Sequence, residues 1–187
     1  MHRSARHLQR IARRLHQVWW DWRLGVRTLR STPALGRDAQ PGDPTSYAVL
    51  FAVAATLQPS DVVYDVGCAR GRACAVFARR CSQVVGIEAS PVAAEAARRN
   101  GIAVIEADAR TVDYTHATVL WMFNPFGPET LRAVLRRAAV PRVLYYSGTG
   151  AHAQVFHAEG YALTRRQMFR ADEHVVYHYA RTTTPWT

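Results

Sequence analysis

The stretch Val62–Arg80, VVYDVGCARGRACAVFARR, decides the fold. It opens with a short apolar run suited to a buried strand. Gly67 follows at the point where such a strand must turn sharply, and glycine permits both the turn and a close backbone approach to a ligand. Gly71 then leads into a helical segment beginning at Arg72, where a missing side chain lets helix and strand pack closely. A strand, a glycine turn and a helix in this order form the ligand-binding corner of an open α/β sheet.

The same alternation continues outward. Strands are predicted at Val62–Val66, Val84–Glu88, Ile102–Glu106, Thr118–Phe123 and Arg142–Ser147. Helices are predicted between them at Arg72–Cys81, Pro91–Asn100 and Pro128–Ala139, with a short one at Ala151–Glu159. Pro91 suits a first helical turn and Gly101 a helix stop. Such alternation implies a parallel sheet covered on both faces. The last two strand-like runs, YALTRRQMF and EHVVYHYAR, have no helix between them and imply an antiparallel hairpin at one edge.

The turn lacks the G-x-G-x-x-G spacing of a dinucleotide site. Asp65 stands two residues before Gly67, where it would repel a pyrophosphate but suit a cationic or amino group. Glu88 ends the second strand, 23 residues after Asp65, where an acid can accept both hydroxyls of a ribose. Asp108 ends the third strand and can accept from an adenine amino group. Three acids on three successive strand ends therefore suit an adenosine carrying an amino-acid tail and no phosphate, which is S-adenosylmethionine.

With these residues in place the chain resembles the class I S-adenosylmethionine-dependent methyltransferases. Their first motif is commonly D/E-x-G-x-G-x-G. Here Asp65, Gly67 and Gly71 keep it, and Ala69 replaces the middle glycine. The resemblance covers roughly Thr45 to Arg181. Within the class, RLGVRT, PTSYAVL, DVGCARGRA, VVGIEASPVAAEAARRN and FNPFG are similar to a small bacterial family of predicted methyltransferases. The resemblance implies a Rossmann-like doubly wound seven-strand sheet of order 3-2-1-4-5-7-6 with its last strand antiparallel. It implies cofactor contacts at Tyr47, Asp65, Gly67, Cys68, Ala69, Gly71, Glu88, Ala89, Asp108, Ala109 and Asn124. It also divides the chain into residues 1–44, a basic helix and linker, and residues 45–187, the cofactor-binding domain.

The fourth strand ends in Phe123-Asn124-Pro125-Phe126-Gly127. Nitrogen-methylating DNA enzymes carry (D/N)-P-P-(Y/F/W) at this place, with the aromatic ring stacked on a flipped base. This chain is one proline short, so its aromatic is displaced by one position. A carboxamide oxygen can accept a proton of an attacking amine and aim its lone pair. Asn124, Pro125 and Phe126 are therefore the candidate catalytic residues. The plain alternative is a strand ending in an Asn-Pro turn with Phe126 in the core. The favoured acceptor is a nitrogen of a protein side chain or a small amine. The competing readings are a cofactor-binding scaffold without catalysis, held at a membrane surface, and a nucleic acid N-methyltransferase.

No metal constellation accompanies the eight histidines, and the three cysteines, Cys68, Cys74 and Cys81, lack zinc spacing and read as small buried hydrophobes. No apolar run reaches the ~20 residues of a membrane-spanning helix, and the N-terminus lacks the apolar core of a secretory signal. The expected compartment is the cytoplasm. All 24 basic residues are arginine, and eight of them lie in residues 1–30 against the single acid Asp21. The remaining sixteen face thirteen acids, so the basic excess belongs to the N-terminal segment. Nucleic-acid binding is disfavoured on that ground.

Leu8, Ile11, Leu15, Val18, Trp22, Val26 and Leu29 form one apolar helical stripe in this segment. Three roles are open to it: packing the stripe on the domain as a lid, lying on an anionic membrane, and gripping phosphates. The first is expected, because a helix with an apolar stripe usually buries it against its own protein. A Pro/Gly-rich linker, Ser31 to Pro44, follows, and then a helix from Thr45 to Leu57 capped at Thr45 or Ser46.

Overall fold

Side chains on the central strands alternate between two separate cores. On strand β4 (Val119–Phe123), Val119 and Trp121 face one way, while Leu120 and Met122 face the other. Strand β5 (Arg142–Ser147) repeats the division with Leu144 and Tyr146 against Val143 and Tyr145. Both faces of the sheet are thus dry, as a doubly wound architecture requires. The computed structural model describes residues 2–31, 44–147, 152–169 and 174–182, with the backbone alone for 2–6 and 8–10.

The other strands are β1 (Val62–Val66), β2 (Gln83–Glu88), β3 (Val104–Glu106), β6 (Tyr161–Met168) and β7 (Val175–Arg181). They form one seven-stranded sheet of order β3-β2-β1-β4-β5-β7-β6. β1 to β5 pair in parallel, and β7 inserts antiparallel between β5 and β6. The register sets Val66 of β1 beside Ile87 of β2 and Met122 of β4. The carboxyl ends of these strands, and the turns that follow them, therefore share one edge.

The helices are α1 (His2–Leu24), α2 (Tyr47–Ala54), α3 (Arg72–Phe77), α4 (Pro91–Arg99), α5 (Pro128–Ala138) and α6 (Ala153–Ala158). Ser46 caps α2 by accepting from the Val49 N–H, and Ser90 caps α4 by accepting from the Ala93 N–H. Several boundaries differ from the sequence expectation, among them α2, expected over Thr45–Leu57 and observed at Tyr47–Ala54. Helix α3 stops at Phe77, because the Arg79 and Arg80 N–H groups close a tighter final turn on the Val76 and Phe77 carbonyls. Strand β3 starts at Val104, because Ile102 instead fills the space beside Gly71. The expected linker falls on residues that lie almost entirely outside the described ones.

Helix α1 departs furthest from expectation. Within the helix the apolar stripe does not pack on the domain: Ile11, Leu15, Val18 and Trp22 are exposed, Trp22 at 75%, while Val26, past the helix end, is buried. The face turned inward carries Gln17, Trp20, Asp21 and Leu24. The Trp20 ring lies 4.4 Å from that of Phe51, and Asp21 is buried. A burial contest explains this choice. One face offers apolar area, and the other offers Asp21 to Arg72, which is itself buried and must have a partner.

Candidate active site

The turn after β1 is strapped to β2. The N–H groups of Gly67 and Cys68 both donate to the Ile87 carbonyl, at 2.9 and 3.0 Å. The Ala69 N–H donates to Glu88 Oε2 at 2.8 Å, and the Gly71 N–H closes the turn on the Cys68 carbonyl. Gly67, Ala69 and Gly71 all have positive φ, at 78°, 48° and 79°. A glycine at position 69 would be unstrained there, whereas alanine costs roughly 1–2 kcal/mol in this region. At Gly71 a Cβ would stand 2.6 Å from Ile102 Cγ1, so a side chain is excluded.

The turn after β4 lies directly against this one. A Cβ on Gly67 would stand 3.1 Å from Pro125 Cβ. The missing side chain thus brings the Asn124-Pro125 turn against the glycine turn. Asn124 has φ 38°, a conformation that asparagine tolerates better than most residues. Its Oδ1 accepts from the Tyr145 hydroxyl, and Nδ2 has no hydrogen-bond partner among the described residues. Burial pushes the Tyr145 phenol above its usual pKa, so it remains a protonated donor near neutrality.

The three strand-end acids differ from one another. Glu88 is half-buried, and each of its oxygens accepts one backbone N–H, from Ala69 and from Ser90. Each oxygen keeps a further lone pair. Asp108 is tied to Arg110, which reaches it through Nε at 3.0 Å, and the Arg110 hydrogen bonds hold its carboxyl below the usual range. Asp65 is buried and accepts from the Cys74 thiol at 3.2 Å. Burial raises its pKa to about 7, the Cys74 hydrogen bond opposes that rise, and the Glu88 charge adds to it. As it stands, Asp65 supports the turn from within and does not line open surface.

The remaining candidates are likewise spread. Gly67 and Ala89 are exposed, and Ala69 is half-buried. Ala109 is buried, and its carbonyl accepts from the Tyr114 hydroxyl. The Cys68 side chain is buried beside Gly86 and Cys74, which leaves only its backbone for a ligand. Tyr47 is fully buried, and its hydroxyl donates to Asp21 at 2.6 Å. Both its ring and its hydroxyl are committed to the inner core. Phe126 packs against the larger core, so its ring is partly committed as well. Cys81 is also buried, and all three cysteines are free thiols.

Sequence reasoning missed three residues. Arg70 lies in the turn itself, and its Nε is buried with no hydrogen-bond partner. Arg72 is buried between the turn and the N-terminal segment. Its Nε donates to Thr28 Oγ1 at 2.6 Å, Nη1 to Gln17 Oε1 at 2.8 Å, and its guanidinium stacks 4.7 Å from the Tyr47 ring. Tyr145 fixes Asn124. The arginine-rich composition hid the first two, because arginine was too common here to read as a signal.

The Asn124-Pro125 turn against a strapped glycine turn is the corner to compare with known proteins. Residues 63–144 match the family model described as "Methyltransferase domain". The match spans 82 of the 187 residues and makes this segment similar to a methyltransferase domain. Among solved structures, a TehB-like S-adenosylmethionine-dependent methyltransferase from Corynebacterium glutamicum aligns at 15% identity and TM-score 0.59, covering 75% of this chain and 90% of that one. An RNA methyltransferase from Salinibacter ruber, in complex with S-adenosyl-L-homocysteine, aligns at 23% identity and TM-score 0.59, covering 76% and 95%. Magnesium protoporphyrin IX methyltransferase from Synechocystis, with S-adenosylmethionine bound, aligns at 13% identity and TM-score 0.57, covering 72% and 77%. No curated protein matches the sequence.

The corner fits S-adenosylmethionine, which the Synechocystis enzyme holds, on its own terms. Arg70 Nε offers an unpaired donor to a carboxylate, Glu88 keeps lone pairs for hydroxyl donors, and the bare Gly67 leaves backbone exposed between them. Among the described residues no group of His, Cys, Asp or Glu is placed to hold a metal, and no helix is long and apolar enough to cross a membrane.

Proposed function

We propose that the chain transfers a methyl group to a nitrogen, on a protein side chain or a small amine. S-adenosylmethionine, when bound, supplies an electrophilic methyl on a sulfonium. Arg70 anchors the amino-acid carboxylate of that ligand and Glu88 its ribose hydroxyls, while Asp108 shares its carboxylate between Arg110 and the adenine amino group. Asn124 aims the incoming amine. Its Oδ1 has a second lone pair beside the one taken by Tyr145, and that lone pair accepts an N–H hydrogen bond from the attacking amine. As the N–C bond forms the S–C bond breaks, the thioether leaves and the proton passes to water. Pro125 sets the carboxamide against the glycine turn and so beside the donor. The observation that carries this reading is the close approach of Gly67 to Pro125, which joins the cofactor turn and the Asn124 turn in one corner.

The nucleic acid alternative leans on Phe126 as a stacking platform, and its packing against the core weighs against that role. The non-catalytic alternative predicts cofactor binding without turnover. The test is the formation of S-adenosyl-L-homocysteine from S-adenosylmethionine in the presence of amine-bearing peptides and small amines. Asn124→Ala should leave cofactor affinity near wild type and slow transfer about 30- to 1,000-fold, the equivalent of ~2–4 kcal/mol. Equal rates in the two proteins would remove Asn124 from the chemistry. Binding with no turnover on any amine would favour the non-catalytic reading.

A further inference from the structure

Helix α1 has two opposed faces, and only one is used by the domain. Gln17, Trp20, Asp21 and Leu24 hold the domain, through the Arg72 network and the contact of Trp20 with Phe51. Ile11, Leu15, Val18 and Trp22 lie on roughly the opposite side of the helix, at about 100° per residue. All four are exposed, Leu15 at 63% and Trp22 at 75%, and Trp19 extends the strip at 50%. Arg14 and Arg23 flank it, and Arg13 is exposed behind it. The single acid of residues 1–30, Asp21, is already neutralised inside the protein by Arg72.

We propose that this outer face of α1 lies on an anionic lipid bilayer, with the stripe immersed and the arginines at the headgroups, so that the helix is sandwiched between membrane and domain. Charge complementarity selects this occupant. A second copy of the chain would bring the same arginine-rich helix against itself, and like charges would oppose the pairing. A nucleic acid would satisfy the arginines and leave the aliphatic stripe in water. Only an anionic bilayer satisfies both the apolar stripe and the arginines that flank it, with indoles at the depth they favour. The opposed geometry matters as much as the composition. The helix need not leave the domain to bind lipid, so membrane contact does not compete with the Arg72 network. The proposal is independent of the acceptor chemistry.

The experiment is co-sedimentation of the full chain with vesicles of phosphatidylcholine mixed with phosphatidylglycerol, and with vesicles of phosphatidylcholine alone. The protein should pellet with the anionic vesicles, less so at high salt, and far less with the neutral ones. The double variant Leu15→Glu, Trp22→Glu alters only exposed positions. It should melt like the wild type and lose about tenfold or more of the bound fraction. Tryptophan fluorescence of the wild type should be quenched by brominated acyl chains, a readout that stands even if the variant fails to fold. Three results would overturn the proposal. One is wild-type protein that stays in the supernatant or escapes quenching. Another is a dimer in sedimentation equilibrium that the double variant dissolves, which would assign the face to a second copy. The third is single-stranded RNA binding that the double variant abolishes, with no vesicle binding.

Discussion

The Arg72 network and the row of acids at the strand ends use the same side-chain chemistry in opposite settings. Arg72 and Asp21 are 5% and 8% exposed in their side chains, 51 residues apart, and surrounded by Thr28, Tyr47 and Gln17. Arg110 and Asp108 are two residues apart and about half exposed, and they pair within one turn. Water screens the second pair and makes it worth little to stability. The first pair cannot be screened, so its members are costly to separate. The difference separates two tasks. The inner network fixes where α1 sits, and the outer Arg110–Asp108 pair contributes little to the fold.

The sharpest way to break this comparison is to remove one partner of the inner pair. Arg72→Ala should destabilise the chain by about 3–5 kcal/mol in urea denaturation, because it leaves Asp21 buried without its counter-charge. The double variant Arg72→Met, Asp21→Asn should recover much of that loss. If Arg72→Ala unfolds at the wild-type urea concentration, the network is not what holds α1.

Asp65 tests the boundary between the two settings, since it belongs to the acid row by sequence and to the interior by burial. Its carboxyl titrates at about 7 in the fold and near 3.9 in an unfolded chain. The folded state therefore holds the proton more tightly. The stabilisation is fully present below about pH 4 and is lost as pH rises to about 7, by an amount on the order of 2–4 kcal/mol. Asp65→Asn should flatten this fall in a series of melts between those pH values. An unchanged pH profile would show that Asp65 is charged in the fold throughout.

Glu88 should show the smallest effect on stability and the clearest effect on ligand. Glu88→Ala should weaken S-adenosyl-L-homocysteine binding by about 1–3 kcal/mol in calorimetry, roughly 5- to 150-fold. Glu88→Gln keeps an acceptor for the Ala69 N–H and should lie between. Wild-type affinity in both variants would detach Glu88 from the cofactor and leave it as a strap for the glycine turn.

The sequence by itself determined the features that depend on neighbours along the chain. Short apolar runs set the strands, and Ser46, Pro91 and Gly101 set helix ends within a residue or two. The positive φ at Gly67 and Gly71 is a local demand that glycine answers, and it made the turn after β1 readable in advance. The acids at the strand ends were readable because parallel strands bring their carboxyl ends to one edge. The tertiary structure alone decided the rest. Hydrophobic periodicity picked the wrong face of α1, because Asp21 on the other face has a buried guanidinium to neutralise. Asp65 left the acid row for the core, because its position on β1 points it to the side of Val63 and α3. Tyr145 came to hold Asn124 only through the pairing of β4 with β5, which sets it beside Met122, two residues before that turn. Each outcome turns on a charge or a polar group meeting a partner 51, 9 or 21 residues away, on another element of the fold, and no local pattern records that meeting.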